Sequence, residues 1–589
     1  MADEGLTIES ILVADVGSTT TKVALIDCIE GVFRLVAHAE AATTAVPPKA
    51  DVSLGVRQAL GEIERIANRR LLDQDGQLIT PERSNGNGVD AFVATASAAA
   101  PLRVMLAGLM WDLSMTSGRH AVNSTYAIVE DTISLDGEGP RWTAKGGRQA
   151  NLDLLHQRKP EVILLVGGVD QGAVEGVVDA AQVIGMVCSV LDGGHKPEVI
   201  YAGNVTARSQ VAQIVADKAN LRVVDNVLPR LHTENTTGVE EELENIYRER
   251  KLARLPGLGG LLAWTSHSIE PTAVSFGITV EALARQYALN VLGADIGGAT
   301  TTLVSSIEGH FGRVVRADLG LSHNMDKVAE VASLEAILRW LPFELTPGEA
   351  RSRIMNKVLR PTTIPETQED LLFEQAVARE ALRLAMDEAR PRWSDLKAVL
   401  YEGLSPQVDF IIGSGGVLAH AAHYGQATLI LLDALQPIGV TNLMLDKACL
   451  APQLGTLAAV HSLAAAQIAT KDGLLGLGTV ISPVGRTREG KPVLRFKVQY
   501  EGDSPLEGEV LFGSLEVIPL APGQKATLEL RPTHQFDIGL GTKGRGAITE
   551  VEGGAVGLII DGRGRPLHLA EDDEQRRAKI QEWLWDVGA

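Results

Sequence analysis

VADVGSTTTKV at 13–23 returns as GADIGGATTTL at 293–303, so that Asp15 matches Asp295, Gly17 matches Gly297 and Thr20 matches Thr300 at one constant spacing of 280 residues. That spacing is the size of a whole lobe and far exceeds the roughly 20–50-residue period of solenoid arrays, which argues for a duplicated domain. Each copy joins an apolar run to a second apolar segment, VALID at 23–27 and LVSSI at 303–307, and each therefore predicts a β-hairpin. Two similar lobes facing each other follow from the duplication.

Around the first copy, short apolar runs alternate with helix-like stretches: ILVADVG at 11–17, DAFVATA at 90–96, EVILLVGG at 161–168 and MVCSVLDGG at 186–194. Runs of this kind that end in glycine or small polar residues read as strands of a parallel sheet covered on both faces. Segments such as SLGVRQALGEIERIANRRLL at 53–72 supply the crossover helices, so the layout is α/β. After the second copy come a mostly helical stretch at 325–400, the strand DFIIGSGG at 409–416 and an Ala-rich helix near 454–470. From about 474 the pattern turns to alternation, as in VLRFKVQY at 493–500 and KATLELRP at 525–532, which predicts antiparallel strands with one wet face. The expected divisions are a first lobe at 8–285, a second lobe with a returning helix at 286–473, and a separate β-rich module at 474–589 closed by an amphipathic helix at 571–585.

The bulk numbers agree with a large folded protein. Of 589 residues, 45% are hydrophobic and 22% charged, the balance of a globular chain. The formal charge of −20 disfavours nucleic-acid phosphates and anionic membrane surfaces as partners. Cys28, Cys188 and Cys449 lie far apart without CxxC spacing and read as reduced thiols. The acidic start and the lack of any apolar run of about 18 residues give a cytoplasmic expectation.

Asp15 ends an apolar strand, and Gly17, Ser18, Thr19, Thr20 and Thr21 follow. A tight turn of glycine and small hydroxyl residues brings backbone N–H groups against phosphate oxygens; Lys22 either adds a positive charge there or is pointed elsewhere by strand alternation. A carboxylate just ahead of such a turn suits Mg²⁺, which keeps several waters and takes only one or two protein carboxylates. The second copy repeats the arrangement with Asp295, Gly297, Gly298, Ala299, Thr300 and Thr301. A single copy reads as a plain hairpin with an Asp cap; two copies, each after a buried strand, turn the reading to phosphate binding. Gly413, Ser414, Gly415 and Gly416 form a third element, a strand-to-helix turn ahead of VLAHAAHY that lets backbone approach a ligand closely. Asp170 in VGGVDQG is a candidate base, or else a turn acid, and Asp318 a supporting acid or a local cap. His195 and His323 read as polar loop residues, since no HxH or HExxH spacing occurs. A P-loop and a G-x-S-x-G elbow are both missing from the sequence.

In this order the three elements resemble the actin/Hsp70/sugar-kinase (ASKHA) superfamily over roughly residues 8–470. The resemblance implies duplicated ribonuclease-H-like lobes with a central nucleotide cleft, ATP as ligand and a metal held through Asp15 and Asp295. Catalytic roles would fall to Asp15, Asp295 and Asp170. More specifically, ADVGSTTTKVALID, EVILLVGGVDQG, ADIGGATTT, ADLGLSHNM at 317–325, IIGSGGVLAH and GLIIDGRGRPL together resemble the glutamate (methylaspartate) mutase accessory family, labelled MutL but unrelated to the mismatch-repair protein. That resemblance implies an ATP-dependent, Mg²⁺-dependent accessory or reactivating chaperone whose partner is an adenosylcobalamin-dependent mutase. One departure stands out: many superfamily members carry an Asp where this chain has Thr302, which weakens efficient hydrolysis but not binding. A metabolite kinase using Asp170, and a nucleotide-sensing scaffold without turnover, are the rival readings.

Overall fold

The structure is a computed structural model that describes residues 8–134, 160–190, 196–394, 396, 397, 401, 403–502 and 504–589. It divides into two compact units. The larger holds residues up to 98, 256–313 and 318 onward, and the smaller holds 99–255 with 314–317.

In the larger unit, β1 (Ser10–Val16) is buried at all seven positions, as its unbroken apolar run requires. It pairs antiparallel with β2 (Thr20–Ile29), and β2 with β3 (Val32–Ala42), confirming the first hairpin. The helix Val52–Ala67 follows; Asp51 caps its start by accepting from the Ser53 N–H, and Asn68 ends it in the left-handed region. β4 (Ala91–Ala96) then lies parallel beside β1.

Here the chain departs into the smaller unit. Five strands, β5 (Leu102–Gly108), β6 (Ala127–Ser134), β7 (Val162–Leu165), β8 (Glu198–Tyr201) and β9 (Asn220–Val223), pair in the order β6-β5-β7-β8-β9 and are all parallel. This parallel sheet is what the apolar runs of the first lobe called for, but it is a body of its own, so the span 8–285 covers more than one lobe. The expected strand at MVCSV is the end of a helix, Glu175–Val190, in which the Ser189 hydroxyl donates to the Gly185 carbonyl four residues back at 2.8 Å. A short apolar run does not distinguish a buried helix from a buried strand, and the strand is EVIY at β8. The remainder of that stretch, 191–194, and His195 lie outside the described residues.

The chain re-enters the first sheet as β10 (Glu270–Pro271), parallel to β4, giving the order β3-β2-β1-β4-β10. After the helix Thr272–Tyr287 the pattern restarts. β11 (Val291–Ile296) and β12 (Thr301–Ile307) form the second antiparallel hairpin with β13 (His310–Arg316) beside β12, while β14 (Phe410–Ser414) lies parallel to β11 and β15 (Gly439–Asp446) parallel to β14. Both sheets thus carry the strand order 3-2-1-4-5. The helices that follow strand five of each, Thr272–Tyr287 and Ala451–Val460, cross where Gly455 has no side chain: an added Cβ would stand 2.1 Å from the Ser275 carbonyl oxygen. The Ala-rich stretch near 454–470 is two helices, broken at His461.

The tail is only partly separate. β16 (Leu474–Ser482) pairs with β15; past β17 (Pro492–Tyr500) and β18 (Leu506–Leu511), β19 (Leu515–Ile518) comes back to the same sheet. β20 (Lys525–Pro532) and β21 (Ala547–Glu552) complete the four-stranded sheet β18-β17-β20-β21, while β22 (Leu558–Asp561) lies between β16 and β19. The expected boundary at 473/474 therefore falls inside an eight-stranded sheet. Every residue of β22 is buried, the mark of a central strand rather than of one with a wet face. A buried ionic chain fixes it: Asp433 pairs with Arg379 and Arg563, both at 2.7 Å, and Asp561 with Arg563 at 2.9 Å and Arg565 at 2.7 Å. Burial alone would raise the Asp561 carboxyl, but the two guanidinium groups hold it well below the carboxylate range. The closing helix is Asp573–Asp586. No helix among the described residues is long and apolar enough to cross a membrane.

Candidate functional site

Strand register places the site residues. Asp15 on β1 stands opposite Lys22 on β2 and beside Thr95 on β4; Lys22 stands opposite Glu40 on β3, and Thr95 beside Glu270 on β10. Directly opposed residues share a face of the sheet, so one polar row crosses the whole first sheet. In the second sheet Asp295 stands opposite Thr302 and beside Ser414. The repeat therefore extends beyond the turn: Lys22 and Thr302 are counterparts, as are Thr95 and Ser414.

Asp15 is 4% exposed, and its Oδ1 accepts from the hydroxyls of Thr95 and Thr272, each at 2.8 Å. Burial alone would lower the Lys22 ammonium, yet Cys449, Asp15, Asp295 and Glu40 around it raise it above its ordinary value. The Cys449 thiol is itself pushed up to about 12 by burial, so at neutral pH the carboxylates supply this field. Asp295 is raised by burial and by Asp15, against the pull of Lys22. The two carboxylates from opposite halves of the chain thus act on one lysine and on each other.

The turns between the strands meet. A Cβ added at Gly298 would lie 2.0 Å from Thr19 Oγ1 and 3.3 Å from Ser18 Oγ, so the turn 297–300 rests directly on the turn 17–20. His323 Nε2 lies 3.3 Å from the Ser18 carbonyl oxygen, a further link between them. Each turn is tight: the Gly297 N–H donates to the Thr300 carbonyl at 2.8 Å, and a Cβ at Gly17 would stand 2.6 Å from the Thr20 carbonyl oxygen. Behind Ala299, Gly320 packs so closely that a Cβ there would fall 2.4 Å from backbone, and the Asn324 amide donates to the Ala299 carbonyl at 2.7 Å. Thr19 Oγ1 is buried and has no hydrogen-bond partner.

The third element follows β14. Ser414 donates to Asp446 Oδ2 at 2.8 Å, and Asp446 also accepts from the N–H groups of Leu450 and Ala451. Burial pushes the Asp446 carboxyl up to about 6. Gly415 has φ +103°, and a Cβ there would lie 2.2 Å from the Ile296 carbonyl oxygen, so this position is closed to any side chain. Gly413 packs under Leu418 and Leu431, and Gly416 opens the short helix ending at His420. His420 Nε2 lies 3.3 Å from Glu40 Oε1, linking this turn to the first sheet.

Of the residues expected from sequence, Asp15, Lys22 and Asp295 come together, the two turns touch, and 413–416 adjoins them through Gly415 and Ile296. Asp170 belongs to the smaller unit. Its Oδ1 accepts from the Val205 N–H at 3.1 Å and from the Asn226 amide at 3.0 Å, the bonding of a turn acid. Thr95, Thr272, Glu40, Asp446 and His420 were not singled out in the sequence. Thr95 is within reach of the sequence, because DAFVATA reads as a strand, but its register against Asp15 is not.

Two sheets of order 3-2-1-4-5 with matched carboxylates on their first strands define the actin-like class. Within it, the MutL protein family model matches residues 11–473, and the chain belongs to that family of glutamate mutase accessory proteins. Protein MutL of Clostridium tetanomorphum is 24% identical over 451 residues, 71% of this chain and 88% of that protein. Among solved structures, nucleotide-free acetone carboxylase aligns at 12% identity with TM-score 0.32, covering 85% of this chain and 81% of that one. Diol dehydratase-reactivating factor, also nucleotide-free, aligns at 10% identity with TM-score 0.28, covering 77% of this chain and 100% of that one. The ethanolamine utilization protein EutJ of Carboxydothermus hydrogenoformans aligns at 11% identity with TM-score 0.25, covering 76% and 89%.

Proposed function

We propose that this protein binds magnesium-ATP between its two hairpin turns and serves as a reactivating accessory of an adenosylcobalamin-dependent mutase of the glutamate mutase type. The observation that carries the reading is the contact of the two duplicated turns at Gly298 and Thr19, each turn following a strand that carries a matched carboxylate, Asp15 and Asp295. The donor set suits the group. Mg²⁺ keeps several waters and needs only one or two protein carboxylates, which Asp15 and Asp295 supply. The orphaned Thr19 hydroxyl is a donor waiting for an acceptor.

Asp15 and Asp295 would hold the metal, which when bound neutralises phosphate charge. Gly17, Ser18, Thr19 and Thr20 on one side, and Gly297, Gly298, Ala299 and Thr300 on the other, would offer N–H and hydroxyl donors to the phosphates, with Lys22 beside them. Gly413, Ser414, Gly415 and Gly416 would border the adenosine. Because the turns touch at Gly298 and Thr19, a phosphate chain entering between them has to part them. Nucleotide turnover is in this way coupled to a movement of the turns, and passing that movement to the client loosens its damaged cofactor. Thr302, buried opposite Asp295, supplies no carboxylate to orient water, so turnover is slow until the client engages.

The test is phosphate release from magnesium-ATP with and without a cobalamin mutase, repeated with Asp15→Ala and Asp295→Ala. Mutase-stimulated release that both substitutions abolish supports the reading. Tight binding without release, whether or not the mutase is present, overturns it in favour of a sensing scaffold.

A further inference from the structure

Away from the two turns, a cavity of about 270 Å³ opens among Arg339, Trp340, Arg383, His568 and Arg576. One wall comes from the helical layer of the second lobe and the other from the loop after β22 and the closing helix. Its lining includes three guanidinium groups and an imidazole but no carboxylate, in a chain of formal charge −20.

The acids that hold these arginines stand outside the lining. The fully buried Glu380 accepts from Arg339 Nη2 at 2.8 Å, Trp340 Nε1 at 2.7 Å and Arg383 Nε at 2.7 Å. Asp387 takes Arg383 Nη1 at 2.8 Å, and Asp573 takes Arg576. The guanidinium groups are thereby fixed before any ligand arrives, which spares the ordering cost of binding. The Arg339 and Arg379 guanidinium carbons lie 5.3 and 5.6 Å from the Trp340 ring centroid, which fixes the indole as well.

We propose that this cavity binds a compact oxyanion, the phosphate or carboxylate group of a small metabolite. Forked guanidinium donors match such groups in geometry. The volume lies just under the roughly 300–1,000 Å³ of sites for larger ligands, which limits the occupant to phosphate or a short dicarboxylate. An occupant would bridge the second lobe and the closing helix and so stiffen the tail.

Calorimetric titration of the full chain with inorganic phosphate, and separately with succinate, tests the site and distinguishes its two sources. The expected result is a dissociation constant of about 1 mM or tighter for at least one probe, weakened at least tenfold by Arg339→Gln and by Arg576→Gln. Lys22→Met, which removes the positive charge beside the hairpin turns, is titrated alongside and keeps this binding, which separates the cavity from any phosphate caught in those turns. Near-UV circular dichroism and melting confirm that the variants fold; should Arg339→Gln fail to fold, Arg576→Gln and His568→Ala carry the test. Failure of both probes to bind, or affinity unchanged in the folded arginine variants, overturns the proposal.

Discussion

Gly298→Ala asks whether the two turns must part to admit nucleotide. The added methyl would sit 2.0 Å from Thr19 Oγ1 and 3.0 Å from Thr19 Cβ. Rotating the Thr19 side chain relieves the first contact but not the second, so the turns themselves have to shift. Overpacking of this kind costs about 1–3 kcal/mol. Taking about 2 kcal/mol, the nucleotide-free protein should melt a few °C lower, since each kcal/mol moves a large domain by about 2–4 °C. If nucleotide separates the turns, the penalty exists only without it, and binding relieves the strain. The apparent ATP affinity then rises by as much as about thirtyfold, the equivalent of 2 kcal/mol. Thermal melts with and without magnesium-ATP, paired with calorimetry, read both effects. Thr19→Ala in the same chain should recover part of the stability, as contacting residues couple. Equal destabilisation with and without nucleotide, or weaker ATP binding, would refute the reasoning.

Thr19→Ala alone removes an unpaired buried hydroxyl, so melting should stay level or rise while ATP affinity falls by about tenfold, the worth of one hydrogen bond. Asp446→Ala leaves the Leu450 and Ala451 N–H groups and the Ser414 hydroxyl without their acceptor; urea unfolding should show a loss of about 3 kcal/mol. Asp446→Asn should gain on the wild type as pH rises through about 6, because burial raises this carboxyl and its contribution is lost on ionisation. The His420–Glu40 link has a pH window. The hydrogen bond that His420 donates to Glu40 raises the imidazole above 6.5, so its contribution is full below that value and is lost as pH rises through the raised one. Burial works against Glu40, yet His420 holds it below 4.5, so its contribution is full above that value and is lost as pH falls through the lowered one. Melting of wild type against His420→Ala should therefore differ most between pH 4.5 and 6.5.

The duplicated hairpins were legible because their information is local: a carboxylate, a glycine and hydroxyls at fixed positions after an apolar strand. Asp15, Asp295 and the turn residues followed directly from that. What the sequence withheld depends on pairing across long separations. Glu40 stands beside Lys22 only through the register of β2 and β3, and Asp446 reaches Ser414 only because β14 and β15 are parallel neighbours. The helix ending in MVCSV was misread because a buried helix and a buried strand share composition over five residues. The sheet shared by the second lobe and the tail was hidden for a related reason, since LIID carries no alternation to show what lies on either side of it.

The central claim is that the carboxylates at 15 and 295 serve one bound metal-nucleotide. Calorimetric titration of magnesium-ATP into Asp15→Asn, Asp295→Asn and the double variant addresses it directly. If they act as a unit, each single change loses nearly as much affinity as both together. Losses that simply add, or wild-type affinity in Asp295→Asn, would contradict a shared site.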